Sequence, residues 1–423
     1  MNVRITPGNV KGSLVIPASK SFTQRVFAAA LLHKGISEVS GYGVSDDEKA
    51  SLQIIRQLGA AVYESEGSVI IKSRGIDPLN SLIHCRESGL AARLFTPVAA
   101  THDQALTISG CGSLLKRPMN FFREYLPQLN VSVQQEDDHL PMIIKGPLQP
   151  RNIKVDGAVS SQFLTGLLFA YAFTAREEVA IEVNRLTSRP YIDLTLQVLR
   201  HYGKAVKNEN YERFLIPSSG PAAETIRTQI EADWSSAGYW IVAGLIAGNL
   251  ELKGLNSQSL QADKAIMNVV TQCGGMAVWK ENILSVHSTA TLNAFEMDAT
   301  HCPDLFPILS VLATRCLGTS VIKGLHRLIH KESNRKESIC TMLERLGADF
   351  RIVDDSLLIK GSSFLNAAVI PSFMDHRIAM AATIAALHAN ENVVIENAEC
   401  VSKSYPEFFT HLQQLGIHTT VSA

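Results

Sequence analysis

With 423 residues, 46% of them hydrophobic and only 16 of them proline, the chain can bury a large core and lacks the composition of a disordered protein. Its formal net charge of −1 argues against a nucleic acid or a membrane surface as the main partner. The N-terminal residues have neither the charged nor the apolar region of a signal peptide, and the most apolar stretches, 163–175 and 239–247, are too short to span a bilayer. These features predict a cytoplasmic protein of two or three domains that acts on small molecules.

The seven cysteines are scattered and form no Cys-x-x-Cys pair. An odd number without a pattern is typical of reduced thiols in the cytoplasm. The sequence also lacks a His-Glu-x-x-His motif, a phosphate-binding Gly-x-x-x-x-Gly-Lys loop and a Gly-x-Gly-x-x-Gly turn. It therefore predicts no metal, no nucleotide and no organic cofactor.

Six predicted helices end with the same signal. Each is closed by Gly or Asn, which tolerate the left-handed conformation, and a strand-like run follows. These residues are Gly59, Asn130, Gly203, Gly274, Gly347 and Gly416, separated by 71, 73, 71, 73 and 69 residues. Short strands are predicted to end at Pro17, Cys85, Asp156, Asp233, Asp298 and Pro371, each before a polar turn and an apolar helix. The pattern predicts six units of about seventy residues, each built as strand, helix, strand, helix and two strands.

The sixth unit has one strand too few, because the chain ends soon after residues 417–421. The N-terminal run Val3-Arg4-Ile5 has no partner in its own unit, so we expect it to complete the sixth. Residues 19–228 would then form a first lobe, and residues 1–18 with 229–423 a second. The chain would cross between them near residues 17–19 and 217–223, as in a hinged pair of lobes. The alternative is six units in one compact body.

The unusual polar residues mostly open the first helix of a unit, where unpaired N–H groups and the helix dipole attract anions. In chain order these segments are Ser19-Lys20-Ser21 with Arg25, Arg86-Glu87-Ser88-Gly89 with Arg93, Ser160-Ser161-Gln162, Asp233-Trp234-Ser235-Ser236, Pro303-Asp304 and Asp375-His376-Arg377. Other loops add Lys116-Arg117-Pro118, Ser188-Arg189-Pro190-Tyr191, Lys331-Glu332-Ser333-Asn334-Arg335 and Lys403-Ser404-Tyr405. Equivalent positions of a repeat converge if the units pack around a pseudo-symmetry axis. We therefore expect these mainly basic residues to gather in one gap and to bind a ligand with several negative charges.

Taken alone, each segment also fits a structural role. Ser160-Ser161 fits a helix cap, and we expect Asp233 to be one. Lys331-Glu332 fits a solvated pair on a helix, and Asp375-His376-Arg377 a buried salt-bridge knot. Their recurrence at equivalent positions favours the functional interpretation.

In sequence order, six motifs resemble those of the 5-enolpyruvylshikimate 3-phosphate (EPSP) synthase family, over essentially the whole chain. They are Pro17-Ala18-Ser19-Lys20-Ser21 with Arg25, Ser160-Ser161-Gln162-Phe163, Ser188-Arg189-Pro190-Tyr191, Lys331-Glu332-Ser333-Asn334-Arg335, Asp375-His376-Arg377-Ile378-Ala379-Met380 and Val401-Ser402-Lys403-Ser404-Tyr405-Pro406. The resemblance implies an α/β (α+β) protein with a two-domain inside-out α/β barrel. Each domain would hold three repeats of a βαβαββ unit, and the chain would cross over twice.

The resemblance also implies the substrates and their ligands. Shikimate 3-phosphate would be bound by Lys20, Ser21, Arg25, Ser160, Ser161, Gln162, Ser188, Tyr191, Asp304 and Lys331. Phosphoenolpyruvate would be bound by Lys20, Gly89, Arg117, Gln162, Arg335, Arg377 and Lys403. Guanidinium groups suit this task because they bind phosphate and carboxylate bidentately.

The implied reaction is an addition followed by an elimination. The 5-hydroxyl attacks C2 of phosphoenolpyruvate while C3 gains a proton, and the adduct then loses phosphate. This requires a base near the hydroxyl, an acid at C3 and cations for the leaving phosphate. The candidates are Asp304 and Lys20 near the hydroxyl, and Glu332 at the methylene with help from Lys403. No metal or cofactor is implied, and we expect a monomer.

Two departures from the family pattern are visible. Glu87-Ser88-Gly89-Leu90 with Arg93 replaces the usual Asn-Ala/Ser-Gly-Thr with Arg, and Asn334 replaces an Asp. Glu87 adds a negative charge and Leu90 lacks the hydroxyl, so we expect altered binding of phosphoenolpyruvate. We also expect Glu87 to pair with a nearby arginine.

Two other functions stay open at this point. The enolpyruvyl transferase that acts on uridine-diphospho-N-acetylglucosamine has the same fold and a Cys shortly before Arg-Pro, as Cys111 stands before Arg117-Pro118. Lys20-Ser21, where that enzyme typically has Lys-Asn, favours shikimate 3-phosphate. A non-catalytic anion-binding relative is the second alternative, which the presence of both Asp304 and Glu332 argues against.

Overall fold

The computed structural model describes residues 1–158, 161–220 and 223–422. The chain forms two compact units. The first unit is Ala18–Glu231, and the second unit is Met1–Pro17 together with the chain from Ala232 onward. No helix among the described residues is long and apolar enough to cross a membrane.

The described residues form twelve α-helices, which alternate with the strands. They are α1 Lys20–Leu32, α2 Asp46–Gln57, α3 Gly89–Ala99, α4 Asn120–Tyr125, α5 Ser161–Thr174, α6 Arg189–His201, α7 Trp234–Ala247, α8 Ile266–Gln272, α9 Phe306–Arg315, α10 Arg335–Arg345, α11 His376–Ala386 and α12 Phe408–Gln414. Side chains at the first turn fix where several of them begin. Ser19, Ser88, Asp233 and Asp375 each accept a hydrogen bond from a backbone N–H of the helix that follows. The prediction that Asp233 is a cap is confirmed.

The described residues also form twenty-four strands. They are β1 Asn2–Ile5, β2 Val10–Val15, β3 Gly35–Ser40, β4 Ala61–Ser65, β5 Ser68–Ser73, β6 Leu82–His84, β7 Ala105–Ser109, β8 Ser132–Gln134, β9 Met142–Lys145, β10 Ile153–Asp156, β11 Val179–Asn184, β12 Lys207–Glu209, β13 Arg213–Ile216, β14 Thr225–Gln229, β15 Gly248–Lys253, β16 Met276–Lys280, β17 Ile283–His287, β18 Glu296–Asp298, β19 Thr319–Lys323, β20 Asp349–Val353, β21 Ser356–Lys360, β22 Val369–Pro371, β23 Val393–Glu396 and β24 Thr419–Ser422.

These strands form six sheets of four strands with one shared plan. In β6-β7-β9-β8, for example, β6 and β7 are parallel, whereas β9 is antiparallel to both β7 and β8. In four of these sheets one helix connects the two parallel strands and a second helix precedes the next strand, which is the βαβαββ plan. The other two sheets have the same strand order and differ only in where their first strand comes from. The predicted sixfold repeat is confirmed.

The first strand of the chain completes the last sheet, as predicted. β1 lies between β23 and β24 and is antiparallel to both, with Val3 opposite Ile395 on one side and Val421 on the other. Val3 and Ile5 are fully buried in this position. The sixth repeat is therefore built from both ends of the chain.

The first and fourth sheets exchange a strand, which the repeat pattern alone does not reveal. β2 precedes α1 in sequence but pairs in parallel with β15, in the second unit. β14 precedes α7 but pairs in parallel with β3, in the first unit. The chain passes from one unit to the other directly after each of these strands. The predicted double crossover is therefore an exchange of first strands, but its second passage follows Glu231 and not residues 217–223 as predicted, because β14 still belongs to the first unit.

The first helix of each repeat is buried on every side. All residues of α3 and of α11 are buried, whereas α10 buries only Arg335, Ser338, Ile339, Met342 and Leu343, the single stripe of an amphipathic helix. Within the first unit α1, α3 and α5 pack on one another, and within the second α7, α9 and α11 do so. Each unit thus has helices inside and sheets outside, and the predicted inside-out α/β fold is confirmed.

The six residues that close the second helices adopt the predicted conformation. Asn130 has φ +65°, and the five glycines have φ between +70° and +100°. Most side chains are strained there, which explains the choice of residue.

The strand exchange leads to a test at the β2–β15 pair. Gly248 lies opposite Val10, and a Cβ atom on Gly248 would lie 1.8 Å from the Val10 carbonyl oxygen. We expect Gly248→Ala to lower the free energy of unfolding by about 1–3 kcal/mol, measured by urea denaturation, because the strands must move apart. Gly220→Ala is the control, since no other atom lies within 4 Å of its Cβ position. Equal stability of the two variants would contradict the tight pairing.

Candidate active site

The predicted site residues are divided between the two units. The first unit holds Lys20, Ser21, Arg25, Gly89, Arg117, Ser161, Gln162, Ser188 and Tyr191, and the second holds Asp304, Lys331, Glu332, Arg335, Arg377 and Lys403. Ser160 lies outside the described residues.

In the second unit, Arg335 is the centre of a cluster of charges. It is the first residue of α10, and its side chain is fully buried. Its Nε donates to Asp375 Oδ2 at 2.8 Å, its Nη1 to Asp304 Oδ1 at 2.7 Å, and its Nη2 to Glu332 and, at 3.3 Å, to Asp375 Oδ1. Every nitrogen of this guanidinium therefore faces a carboxylate.

Asp304 joins three cations. It lies in the 3₁₀ turn Pro303–Leu305, directly before α9. One oxygen accepts from Arg335 and, at 3.4 Å, from Lys331, and the other accepts from Arg377 Nη2 at 2.9 Å. Residues predicted in three separate segments of the sequence thus meet around one carboxylate. We call Asp304, Lys331, Glu332, Arg335, Asp375 and Arg377 the Arg335 cluster.

The cluster fixes the charge states of its members. Burial alone would raise the pKa of Asp304, but Arg377, Lys331 and Arg335 outweigh burial and hold that pKa well below its usual range. Burial alone would lower the pKa of Arg335, but Asp375, Glu332 and Asp304 raise it above its ordinary value. Burial lowers the pKa of Lys331, although Asp304 opposes this effect. Asp304 is therefore ionised at neutral pH.

Asp375 holds the cluster to the backbone. It is the N-cap of α11 and accepts from Arg377 N at 3.0 Å, while Ser333 Oγ donates to it at 3.1 Å. Asp375 is fully buried. The structural alternative stated for its segment, a buried salt-bridge knot, describes this residue, but its pairing with Arg335, which comes from another repeat, was not predicted.

A further carboxyl group, that of Asp263, lies close to the Arg335 cluster. Asp263 is buried, and Ser235, in the first turn of α7, donates to its Oδ2. Burial first, and then the negative charge of Asp304, raise the pKa of Asp263 to about 7. Asp263 was not predicted, because its position in the sequence resembles that of an ordinary first-turn acidic residue.

In the first unit, Lys20 has a carboxylate partner. Lys20 is the first residue of α1, and its Nζ lies 2.9 Å from Asp47 Oδ2. Asp47 is in the first turn of α2 and is 5% exposed. The sequence analysis did not single out Asp47, because acidic residues are common in the first turn of any helix.

Arg25 connects α1 to α6. Its Nε donates to Thr195 Oγ1 at 3.0 Å, its Nη1 to the Ser21 carbonyl at 2.7 Å and its Nη2 to the Tyr191 carbonyl at 3.2 Å. Burial lowers its pKa to about 10. Arg25 therefore positions the segments of Ser21 and Tyr191, and its direct contact with a substrate stays a prediction.

Two arginines flank the start of α3. A Cβ atom on Gly89 would lie 2.6 Å from Arg117 Nη1 and 2.9 Å from Arg93 Nη1, so any larger residue there would push both guanidinium groups aside. Arg93 Nη1 also donates to Gln162 Oε1 at 3.2 Å. Gly89 and Arg117, predicted from one repeat, and Gln162, from the next, are therefore neighbours.

Glu87 contacts this group through a serine. Ser113 donates to Glu87 Oε2 through its backbone N at 3.3 Å and through its Oγ at 3.0 Å, while Arg117 Nη2 donates to Ser113 Oγ at 3.3 Å. A direct pair of Glu87 with an arginine stays a prediction. Leu90 is 7% exposed, so its side chain belongs to the core.

The remaining predicted residues also stand at the ends of helices. Ser161 opens α5, and Ser188 is the N-cap position of α6 with φ +56°. Lys403 ends the 3₁₀ helix Ala398–Lys403 and is 7% exposed. Cys111 is exposed just before the 3₁₀ helix Gly112–Lys116.

The fold is that of the enolpyruvyl transferases. An EPSP synthase from Acinetobacter baumannii matches with a TM-score of 0.82 at 25% identity, covering 99% of this chain and 100% of that one. The enolpyruvyl transferase NikO from Streptomyces tendae matches with a TM-score of 0.80, covering 100% and 99% of the two chains. At 16% identity the second likeness concerns the fold alone.

Sequence similarity narrows the class to one family. A sequence model described as EPSP synthase (3-phosphoshikimate 1-carboxyvinyltransferase) matches residues 5–412. A 3-phosphoshikimate 1-carboxyvinyltransferase from Clostridium perfringens (strain ATCC 13124) is 35% identical over 418 residues, covering 98% of both chains. Another from Clostridium novyi is 33% identical over 426 residues, covering 98% of this chain and 97% of that one. The chain belongs to the EPSP synthase family, which confirms the resemblance of its motifs.

Asp375 provides a test of the Arg335 cluster. We expect Asp375→Ala to lower the free energy of unfolding by about 3–5 kcal/mol, because it removes a partner from a buried guanidinium. Thermal and urea unfolding at neutral pH would measure this loss. Asp138→Ala is the control, since Asp138 pairs with Arg123 at the surface and its loss should cost less than about 1 kcal/mol. Similar losses in the two variants would show that Asp375 does not compensate a buried charge.

Proposed function

We propose that this chain transfers the enolpyruvyl group of phosphoenolpyruvate to the 5-hydroxyl of shikimate 3-phosphate and releases phosphate, a step in the biosynthesis of aromatic amino acids. The Arg335 cluster carries the proposal, together with membership of the EPSP synthase family. It brings two guanidinium groups, an ammonium group and the two predicted acid–base residues, Asp304 and Glu332, within hydrogen-bond reach of one another.

The charges of the substrates match the available cations. Together the two substrates carry two phosphates and two carboxylates, which must be neutralised by fixed cations. We assign Arg335, Arg377 and Lys403 to phosphoenolpyruvate in the second unit, with Gly89, Arg117 and Gln162 in the first. Shikimate 3-phosphate is assigned to Ser160, Ser161, Ser188, Ser21, Tyr191, Gln162, Lys20, Lys331 and Asp304, and Arg25 supports two of these segments.

The addition step requires a group that accepts the proton of the 5-hydroxyl. Asp304 is ionised and can accept a hydrogen bond from that hydroxyl, but its low pKa makes it a weak base in the absence of substrate. An anion on Arg335 and Arg377 would draw these cations away from Asp304, and its basicity would then rise. Lys20 is the second candidate, and Asp47 orients its ammonium group.

Glu332 is assigned to the methylene carbon. In the addition a proton passes from Glu332 to C3 while the 5-oxygen bonds to C2. In the elimination C3 returns a proton, the C2–O bond to phosphate breaks, and phosphate leaves with its electron pair. Lys403 and the arginines stabilise the departing charge.

We further propose that the chain acts in the cytoplasm as a monomer, on these two small molecules alone. Neither a nucleic acid, a membrane nor a cofactor has a part in the scheme.

The activity is tested with purified protein, by phosphate release from phosphoenolpyruvate and mass spectrometry of the acceptor. We expect turnover with shikimate 3-phosphate and none with uridine-diphospho-N-acetylglucosamine or without an acceptor. Lys20→Ala should abolish turnover and keep the fold, judged by circular dichroism. Turnover with the nucleotide sugar alone, or with no acceptor at all, would refute the proposal. Near-normal activity of Lys20→Ala would show that the lysine is misassigned.

Glu332 offers a second test, because it accepts a hydrogen bond from Arg335, which is assigned to phosphoenolpyruvate. We expect Glu332→Gln to lower kcat by about 100-fold or more, as for loss of an acid–base group. Binding of phosphoenolpyruvate should be equal or tighter, because a competing carboxylate is gone. Steady-state kinetics and calorimetry measure the two effects. Glu337→Gln is the control, an exposed glutamate in the first turn of the same helix. A kcat close to that of the control, or much weaker binding, would contradict this role.

A further inference from the structure

Two adjacent aromatic residues of α7 reach the segments of two predicted phosphoenolpyruvate ligands. Tyr239 and Trp240 are fully buried in the middle of this helix. The Tyr239 hydroxyl donates to the Arg377 carbonyl at 3.3 Å. Trp240 Nε1 donates to the hydroxyl of Tyr405 at 2.9 Å. Tyr405 lies two residues after Lys403. One helix thus supports the backbone near both cations.

Tyr405 is fixed from several sides. It is fully buried, and its ring lies edge-on to Trp240, Phe408 and His411, with centroids 6.3, 5.6 and 5.5 Å away. Its hydroxyl lies 2.7 Å from His411 Nδ1. The ring is held in one orientation, because it is fully buried among three aromatic neighbours and its hydroxyl has two partners.

The direction of this hydrogen-bond chain follows from its first member. An indole N–H can only donate, so the Tyr405 oxygen accepts from Trp240. Tyr405 is fully buried, so its own O–H also needs an acceptor, and among the described residues His411 Nδ1 lies in place to be that acceptor. In this arrangement the imidazole is neutral with its proton on Nε2. A protonated His411 would present a donor at Nδ1, and the buried hydroxyl proton of Tyr405 would lose its acceptor.

Tyr405 is coupled to Lys403 through one tight turn. Ser404 N donates to the Val401 carbonyl at 3.1 Å, and Tyr405 N donates to the same carbonyl at 2.8 Å. Lys403 ends the 3₁₀ helix that contains Val401. The position of the tyrosine therefore limits where the lysine backbone can lie.

We propose that Tyr405, held by Trp240 and by neutral His411, is a positioning residue for Lys403, and that protonation of His411 releases it. The proposal rests on the proposed function only in the role given to Lys403. The hydrogen-bond chain itself does not depend on any substrate.

Charged groups on the neighbouring elements bear on His411. Glu407, before α12, acts on it directly. Lys403 and Glu399 in the 3₁₀ helix, Lys11 on β2 and Asp233 before α7 lie on the elements around it. Burial lowers the pKa of His411 below its usual 6.5, and Glu407 opposes this in part. The folded state thus binds the proton more weakly than the unfolded state. Neutral His411 therefore contributes fully to the stability of the fold above pH 6.5, and this contribution is lost as the pH falls below 6.5.

The first experiment compares Tyr405→Phe with wild type and with Tyr171→Phe. Tyr171 is the matched control, a fully buried tyrosine of the first unit whose hydroxyl donates to the Arg151 carbonyl at 2.9 Å. We expect Tyr405→Phe to lower kcat/KM for phosphoenolpyruvate about 3- to 10-fold, the effect of one hydrogen bond, with KM for shikimate 3-phosphate unchanged. Tyr171→Phe should keep both values. If Tyr405→Phe loses stability only and its kcat/KM equals that of the control, the positioning role is refuted.

The second experiment uses His411→Asn, whose amide oxygen can accept from Tyr405 but does not titrate. Wild-type kcat/KM for phosphoenolpyruvate should fall more steeply on the acid side of pH 6.5 than that of His411→Asn. The free energy of unfolding should follow the same pattern, which is measured without substrate. Identical pH dependence of the two proteins in both measurements would refute the role of His411. Absence of transfer in wild type would refute the proposed function instead, while the unfolding measurement would still test the hydrogen-bond chain.

Discussion

Burying the guanidinium of Arg335 obliges the second unit to bring three carboxylates to it from three segments. A buried charge without partners is costly, and here Asp304, Glu332 and Asp375 share the compensation. Each carboxylate lies within a few residues of the start of α9, α10 or α11, so the same contacts that neutralise the arginine also fix three helix starts. The geometry of the candidate site is therefore a consequence of how this unit folds.

The first unit solves the same problem with neutral groups. Arg25 is as buried as Arg335, but its partners are a hydroxyl and two carbonyls, and its pKa falls instead of rising. Partial charges hold a guanidinium in place without cancelling its charge. In the second unit, carboxylates balance the charge of Arg335. In the first unit, the charge of Arg25, near Ser21 and Tyr191, is not balanced by its hydrogen-bond partners. This contrast fits the assignment of a phosphate-bearing substrate to the latter segments.

Features that recur in every repeat were predictable from the sequence, because the same residue pattern appears six times. The six helix-closing residues, from Gly59 to Gly416, require the left-handed conformation wherever they occur, and the buried helices are apolar on every side. Choices among equivalent partners were not predictable. β2 could pair with β3 or β15 on its own pattern, and Asp47, Asp263 and Asp375 resemble ordinary first-turn or cap residues. Only tertiary contacts distinguish them.

The Arg335 cluster contains three cations, Lys331, Arg335 and Arg377, and three carboxylates, Asp304, Glu332 and Asp375. Its formal charge is thus zero, although its cations are the groups assigned to anionic substrates. An anion that binds the Arg335 guanidinium must replace a carboxylate there, because each of its nitrogens faces one. Asp375 is buried and caps α11, so Asp304 and Glu332 are the two carboxylates that an anion can displace. A carboxylate released from an arginine regains basicity. Binding of phosphoenolpyruvate would therefore raise the proton affinity of the two residues that the proposed reaction needs as acid and base.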